Sequence, residues 1–449
     1  MIRDAECNNV SLMKYSEQCG AKKFAEPASA RPNPSKNVQC TNTGKLSVLH
    51  AVTLAVTGAF HVRCPIQAVP FGLRMQGKSQ RLVELDFFRG LVLLVILVDH
   101  IGGSMISRAT LHTFALNDAA EVFVFLGGFA TATAYVSMAA RRSESAARAR
   151  FIRRAFEIYR AFLVTAVLML LTSFVLRPFF GSAPNLATGD LDAFLATPFT
   201  ALADVLLLRR QPYLSSVLPM YAFFALAVPA VLPLARSKPW LLLGASIALW
   251  AAAPPVAEYL PSADDLLWDF NPAAWQLMFV IGVLACCQPV YQRVSEHRFG
   301  WIASIAALAI VAGMAYYKLL VLPAPFEGDF KRNLAGARIV NFMATAWLAS
   351  DLARRGVVKQ IAHRLSWVGA VGRDGLVCFV AGAVISLVVD SALFTLTGGL
   401  IDVPLGFAAD AVALGALLAI PHRQRVFAAI GFRPVAAVTK REGERRVVR

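Results

Sequence analysis

The stretch from Arg81 to Tyr135 limits the possible folds more than any other part of the chain. It reads RLVELDFFRGLVLLVILVDHIGG, then SMISRATLHTFALN, then DAAEVFVFLGGFATATAY. Two apolar spans are joined by a short polar turn, and both carry charges that a plain membrane anchor would lack. Asp86, Arg89, Asp99 and His100 lie in the first, and the second opens with Asp118 and Glu121. A charge at the centre of a bilayer costs at least about 2.5–3.5 kcal/mol, so each needs a partner, a watery cavity or a chemical role.

Helical periodicity adds geometry. At 100° per residue Arg89 and His100 are nearly three whole turns apart, so they share a face about 16 Å apart along the axis. Asp86 lies one turn before Arg89, within i,i+3 reach, and Ser104 one turn beyond His100. The expectation is a helix over 85–106 with one polar stripe along it. Asp99, about 100° away, is placed to orient a neighbour.

The rest of the chain points the same way. Of its 449 residues 57% are hydrophobic and 16% charged, with a mean hydropathy of +0.57. Soluble domains carry about 25% charge, so the expected class is all-α, a polytopic integral membrane protein. The net charge of +16 does not imply nucleic acid. The basic residues sit between apolar spans and at the C-terminus, as the positive-inside rule demands, and no nucleic-acid motif is present. Seven cysteines form no CxxC pair and no metal-ligand pattern, so no metal site is expected, and Cys286 and Cys287 read as small buried hydrophobes.

About ten spanning helices are expected, near 85–106, 118–140, 159–177, 214–234, 240–256, 273–292, 300–319, 339–353, 367–391 and 403–420. Placing the segment before the first in the cytoplasm puts about 23 Lys and Arg on the cytoplasmic side and about 6 on the other. Both termini are then cytoplasmic. The region divides into a poorly ordered or mis-assigned extension over 1–74, a membrane domain over 75–425 and a basic tail over 426–449, with Met75 expected as the natural start. Residues 46–62 are too short an apolar run for a clear span. A signal-like segment, an interfacial helix or neither remain open there. Segments 191–195 and 201–208 read as short surface helices. Asn271–Pro272 reads as a helix start, with Trp268 and Trp275 where an aromatic belt belongs.

Several residues have two readings. His100 is either a base working near neutral pH, its tautomer set by a neighbouring acid, or a packing histidine bonded across the bundle. His112 reads as a solvated loop residue. Arg89 with Asp86 is either a structural ion pair or a substrate contact. Asp118 and Glu121 have the spacing of a capping box, which leaves Glu121 free also to face His100. Gly127 and Gly128 allow close helix approach. The arginines of 141–160 either follow topology or hold phosphates.

LDFFRGLVLLVILVDHI followed by DAAEVFVFLGGF resembles the OpgC family, membrane succinyltransferases of osmoregulated periplasmic glucans. LPMYAFFALAVPAVLPL, FNPAAWQLMFVIG and VGRDGLVCFVAGAVISL are also similar to it, so the likeness spans roughly 81–390. One departure is Gly127, where a serine is expected. The wider group of membrane acyltransferases shares an Arg in the first helix and a His eleven residues later, met here by Arg89 and His100.

The resemblance implies an acyltransferase of the bacterial inner membrane. It would move an acyl group from cytoplasmic acyl-CoA, succinyl-CoA above all, to hydroxyls of a periplasmic glucan or other glycan acceptor, with no permanently bound cofactor. His100 would be the base, oriented by Asp99 or Glu121. Arg89 would act on the donor, held by Asp86. Asp118, Trp275, Gln276 and Arg373 would complete the substrate passage. The competing class is a proton-coupled transporter, since intramembrane acids and a histidine also suit a proton relay.

Overall fold

The computed structural model describes residues 83–181, 183–186, 190–263, 267–322 and 328–422. The expectations for 1–74 and for the tail over 426–449 lie outside these. Among the described residues there are helices and no strands. The ten principal helices are α1 Val83–Asp99, α2 Ala119–Arg141, α3 Glu144–Phe180, α4 Val217–Ser237, α5 Pro239–Ala251, α6 Pro272–Cys287, α7 Gly300–Tyr316, α8 Gly336–Arg354, α9 Gly375–Thr397 and α10 Val403–Ala419.

Among the described residues six helical segments are long and apolar enough to cross a membrane: α2, α3, α4, Gly300–Val321, α9 and Val403–His422. The others fall short for physical reasons. At 1.5 Å per residue, the 13 residues of α5 span about 20 Å against a hydrocarbon core of about 30 Å. α1 and α6 have 17 and 16 residues. α8 has 19 but carries Arg338, Asp351 and Arg354.

Other bounds also differ from the sequence pattern. The first helix stops at Asp99 instead of 106, just ahead of Gly102 and Gly103. The expected span over 367–391 is two helices, Ser366–Arg373 and α9, broken at Asp374. The basic segment 141–160 is mostly helix. Ser143 caps α3 by accepting from the Ala146 amide, and Arg150 and Arg154 both pair with Glu157. These local supports extend α3 to 37 residues, about 56 Å, well beyond the bilayer core.

Predicted local signals do appear. Asp190–Ala196 and Pro198–Leu206 are the short helices expected. Asn271 caps α6, its side chain accepting from the Ala273 amide, with Pro272 in the first turn. The tryptophans, however, do not form a belt. Trp268 and Trp275 are buried in protein, where their indole N–H groups meet backbone carbonyls. That placement satisfies a donor that would otherwise be lost in an apolar interior.

α1 lies against α2, α9, α10 and the short helix Ser366–Arg373, while α2 also packs on α3, α4 and α6. α7 is nearly unburied and touches chiefly α8. Exposed apolar side chains such as Leu171, Phe174, Ile305 and Leu308 fit a lipid environment. Two crossings depend on glycine. A Cβ at Gly128 would stand 2.1 Å from Phe279 O, and one at Gly282 the same distance from Phe125 O, so α2 and α6 meet backbone to backbone. Gly90 and Gly372 do the same for α1 and Ser366–Arg373.

The obstacle at Gly128 is backbone, which cannot rotate away. Gly128→Val should therefore destabilise the protein by about 1–3 kcal/mol. Gly313→Ala on α7, where nothing lies within 4 Å, should leave stability unchanged. Thermal unfolding of both variants in detergent checks the contrast, and equal melting of the two would contradict this packing.

Candidate active site

The ionisable residues gather at the two ends of α1. At its C-terminal end His100 follows the last helical residue, half-buried. Its Nδ1 lies 2.7 Å from Ile96 O. A carbonyl oxygen only accepts, so Nδ1 carries the proton and Nε2 is the basic nitrogen. The Tyr213 ring stands edge-on, centroids 6.4 Å apart. The charges of Lys331, Asp99 and Asp118 all act on the imidazole.

Asp99 bonds elsewhere. Its Oδ1 accepts from Thr110 Oγ1 at 2.6 Å and lies 3.3 Å from His112 Nδ1. Thr110 Oγ1 is also 2.9 Å from His112 Nδ1. The expected simple loop histidine is therefore half of an acid–imidazole pair, with 45% of its side chain exposed. The hydrogen bond that orients His100 comes from the backbone at Ile96.

Asp118 and Glu121 form the predicted capping box at the start of α2. Asp118 Oδ1 accepts from the Ala120 amide at 2.7 Å, and Glu121 Oε2 from the Asp118 amide at 2.9 Å. Both acids also serve a second purpose. Glu121 Oε1 is 2.5 Å from Arg338 Nε, and Asp118 Oδ2 is 3.1 Å from Arg338 Nη2 and 2.9 Å from Lys331 Nζ. Two acids and two bases thus balance in the interior. Glu121 is fully buried and Arg338 3% exposed. Burial disfavours the Lys331 ammonium, but the Asp118 carboxylate outweighs it and raises the lysine's pKa, so it stays charged. One turn on in α8, Asn341 Oδ1 accepts from the Leu116 amide at 2.7 Å and fixes the chain just before the capping box. Trp275 donates to Lys331 O and Arg332 O, at 3.2 and 3.1 Å, and so steadies the loop that presents Lys331.

At the other end of α1 lie Asp86, buried, and Arg89, half-buried. The guanidinium lies over Gly375, where an added Cβ would be 3.1 Å from Nη2, and its charge reaches Tyr221. Exposed Arg373 closes the short helix that packs on this part of α1 through Gly372 and Gly90. Gln276 is apart from both groups. It accepts from Ser246 Oγ and donates to Ser246 O, which ties α6 to α5.

Between the ends the polar stripe is interrupted. A cavity of about 20 Å³ is lined by Leu93, Ile96 and Leu97 of α1, by Leu214, and by Cys378 to Ser386 of α9. It is apolar and about as wide as one water. Among the described residues no group of three or more His, Cys, Asp or Glu side chains is placed to hold a metal ion.

Lys331, Arg338 and Asn341 were not singled out by sequence pattern. Arg338 falls just before the span expected near 339–353, yet it stands in the first turn of α8. An arginine followed three residues later by an asparagine, inside an apolar run, is the signal that was present. Arg338→Met would leave Asp118 and Glu121 without their buried cation. Breaking such a pair costs about 3–5 kcal/mol. Lys331→Met should cost about 1 kcal/mol or less, because that side chain is a third exposed and its pairing is screened. Unfolding midpoints of the two variants test this order, and an equal shift would contradict it.

A family model described as OpgC protein matches residues 81–425. Comparison with curated proteins and with solved structures returns no match. The matched region takes in all of the described residues, both ends of α1 and the ion cluster, so the chain belongs to the OpgC family.

Proposed function

We propose that this protein is a membrane O-acyltransferase. It takes an acyl group, succinyl in keeping with the family, from cytoplasmic acyl-CoA and places it on a hydroxyl of a periplasmic glucan. In this reading all ten principal helices sit in the inner membrane, with both termini cytoplasmic. The Asp86–Arg89–Arg373 end of α1 then faces the donor and the His100 end faces the acceptor.

The observation that carries the reading is the fixed tautomer of His100. With Nδ1–H committed to Ile96 O, Nε2 is available to take the proton of a sugar hydroxyl as its oxygen attacks the thioester carbonyl. The C–S bond breaks, CoA leaves as thiolate, and the proton on Nε2 is released to restore the neutral base. Asp118 and Lys331 supply fixed charges near the imidazole. Fixed charges in a site shielded from water stabilise developing charge without reorganisation. Arg89 holds the donor's charged part, with Asp86 setting its position.

The test is release of free CoA thiol by purified protein supplied with succinyl-CoA and glucan, with mass measurement of the glucan product. Wild-type protein should release thiol and add succinyl mass. His100→Ala should lower the rate by about 10²–10⁴-fold, the usual contribution of a positioned base, with an unchanged melting temperature. No thiol release by wild type, with solute moving down a proton gradient, would replace this reading by transport.

A further inference from the structure

α1 ends at Asp99, so the chain from His100 to Ile106 leaves the helix with backbone amides to satisfy. Three of them donate to carboxylates on the last two helices. Gly102 N donates to Asp390 Oδ1 at 2.7 Å, and Met105 N and Ile106 N both donate to Asp410 Oδ2 at 2.9 Å. The second oxygen of Asp390 accepts from Asn185 Nδ2 at 2.5 Å. Close packing follows the same contacts. A Cβ at Gly103 would stand 2.6 Å from the Leu393 side chain of α9, and one at Gly406 of α10 would stand 2.6 Å from the backbone oxygen of Gly103.

Asp390 is 6% exposed and Asp410 fully buried, both within apolar helices. Carboxylates in such places are costly. Asp410 Oδ1 has no hydrogen-bond partner among the described residues, so the two loop amides are the bonds for which this acid is present. Bonds from amides to a carboxylate are stronger than those to a neutral acceptor. The loop they hold begins two residues after His100.

We infer that Asp390 and Asp410 are positioning residues that clamp the 102–106 loop onto α9 and α10 and thereby fix His100 at the end of α1. The consequence for catalysis rests on the role proposed for His100; the clamp itself does not. A misplacement of about 1 Å can cost about 10²-fold in rate. The amide oxygen of an asparagine at 410 can still accept both bonds, whereas alanine cannot.

The experiment uses full-length protein in detergent, with Asp410→Ala, Asp410→Asn and Asp390→Ala. Amide hydrogen exchange of the peptide covering 100–106 and carbethoxylation of His100 are followed by mass spectrometry, beside succinyl transfer. Asp410→Ala should accelerate exchange several-fold, alter the His100 modification rate, and lower kcat about 10–100-fold with KM for the donor nearly unchanged. Asp410→Asn should stay within about threefold of wild type, because its amide oxygen replaces the lost acceptor. Should Asp410→Ala fail to fold, Asp390→Ala, which frees only Gly102 N in the loop, should give the same pattern more weakly. Unchanged exchange in the alanine variants that fold, or equal loss in Asn and Ala, would overturn the clamp. Faster exchange in Asp410→Ala together with an inactive wild type would uphold the clamp and remove the acyltransferase reading instead.

Discussion

A guanidinium buried against two carboxylates holds the start of α2 against the first turn of α8. Arg338 reaches from the first turn of α8 to Glu121 and Asp118 at the start of α2. Loss of Arg338 would strand the fully buried Glu121 carboxylate, while Asp118 would keep Lys331, and loss of both acids would leave the guanidinium buried without a counter-charge. Because the same acids close the capping box, one cluster sets both where α2 begins and where α8 stands beside it. Lys331 joins through Asp118, and Trp275 holds the lysine's loop by two carbonyls. Position is thereby passed from α6 through the loop to α2, and from α2 to the neighbourhood of His100.

The two ends of α1 are built differently. The His100 end is a network of bonds and ion pairs drawn from distant parts of the chain. The Arg89 end is more open, with Arg373 exposed beside it on a short helix seated by two glycines. A rigid end and an accessible one are what a protein needs if it is to receive a large soluble donor on one side and align a small reacting group on the other.

Features governed by near neighbours in sequence were legible beforehand. Asn117-Asp118-Ala119-Ala120-Glu121 declares a capping box, and Asn271–Pro272 a helix start, because the bonds involved span two or three residues. The glycines at 127 and 128 likewise announced a close crossing. Partners from afar were not legible. Nothing near Glu121 points to Arg338, 217 residues away, and nothing near Asp99 shows that it turns to Thr110 and His112 when His100 is adjacent. The end of α1 was overrun because an apolar Ile101 continues the hydrophobic pattern past the point where backbone bonding stops. The Trp275 indole was assigned to the lipid interface by position alone. Its N–H finds two protein carbonyls instead, and that three-dimensional fact overrides the positional tendency.

The apolar seam at the middle of α1 bears on the energetics of the cell. Leu93, Ile96 and Leu97 face Cys378 and Phe379 across a gap no wider than a single water. Two charged clusters at opposite ends of a helix would, if joined by a file of waters, short-circuit an ion gradient. The leucine and isoleucine side chains that line this seam offer such a file almost no hydrogen-bond partners, so they oppose its formation.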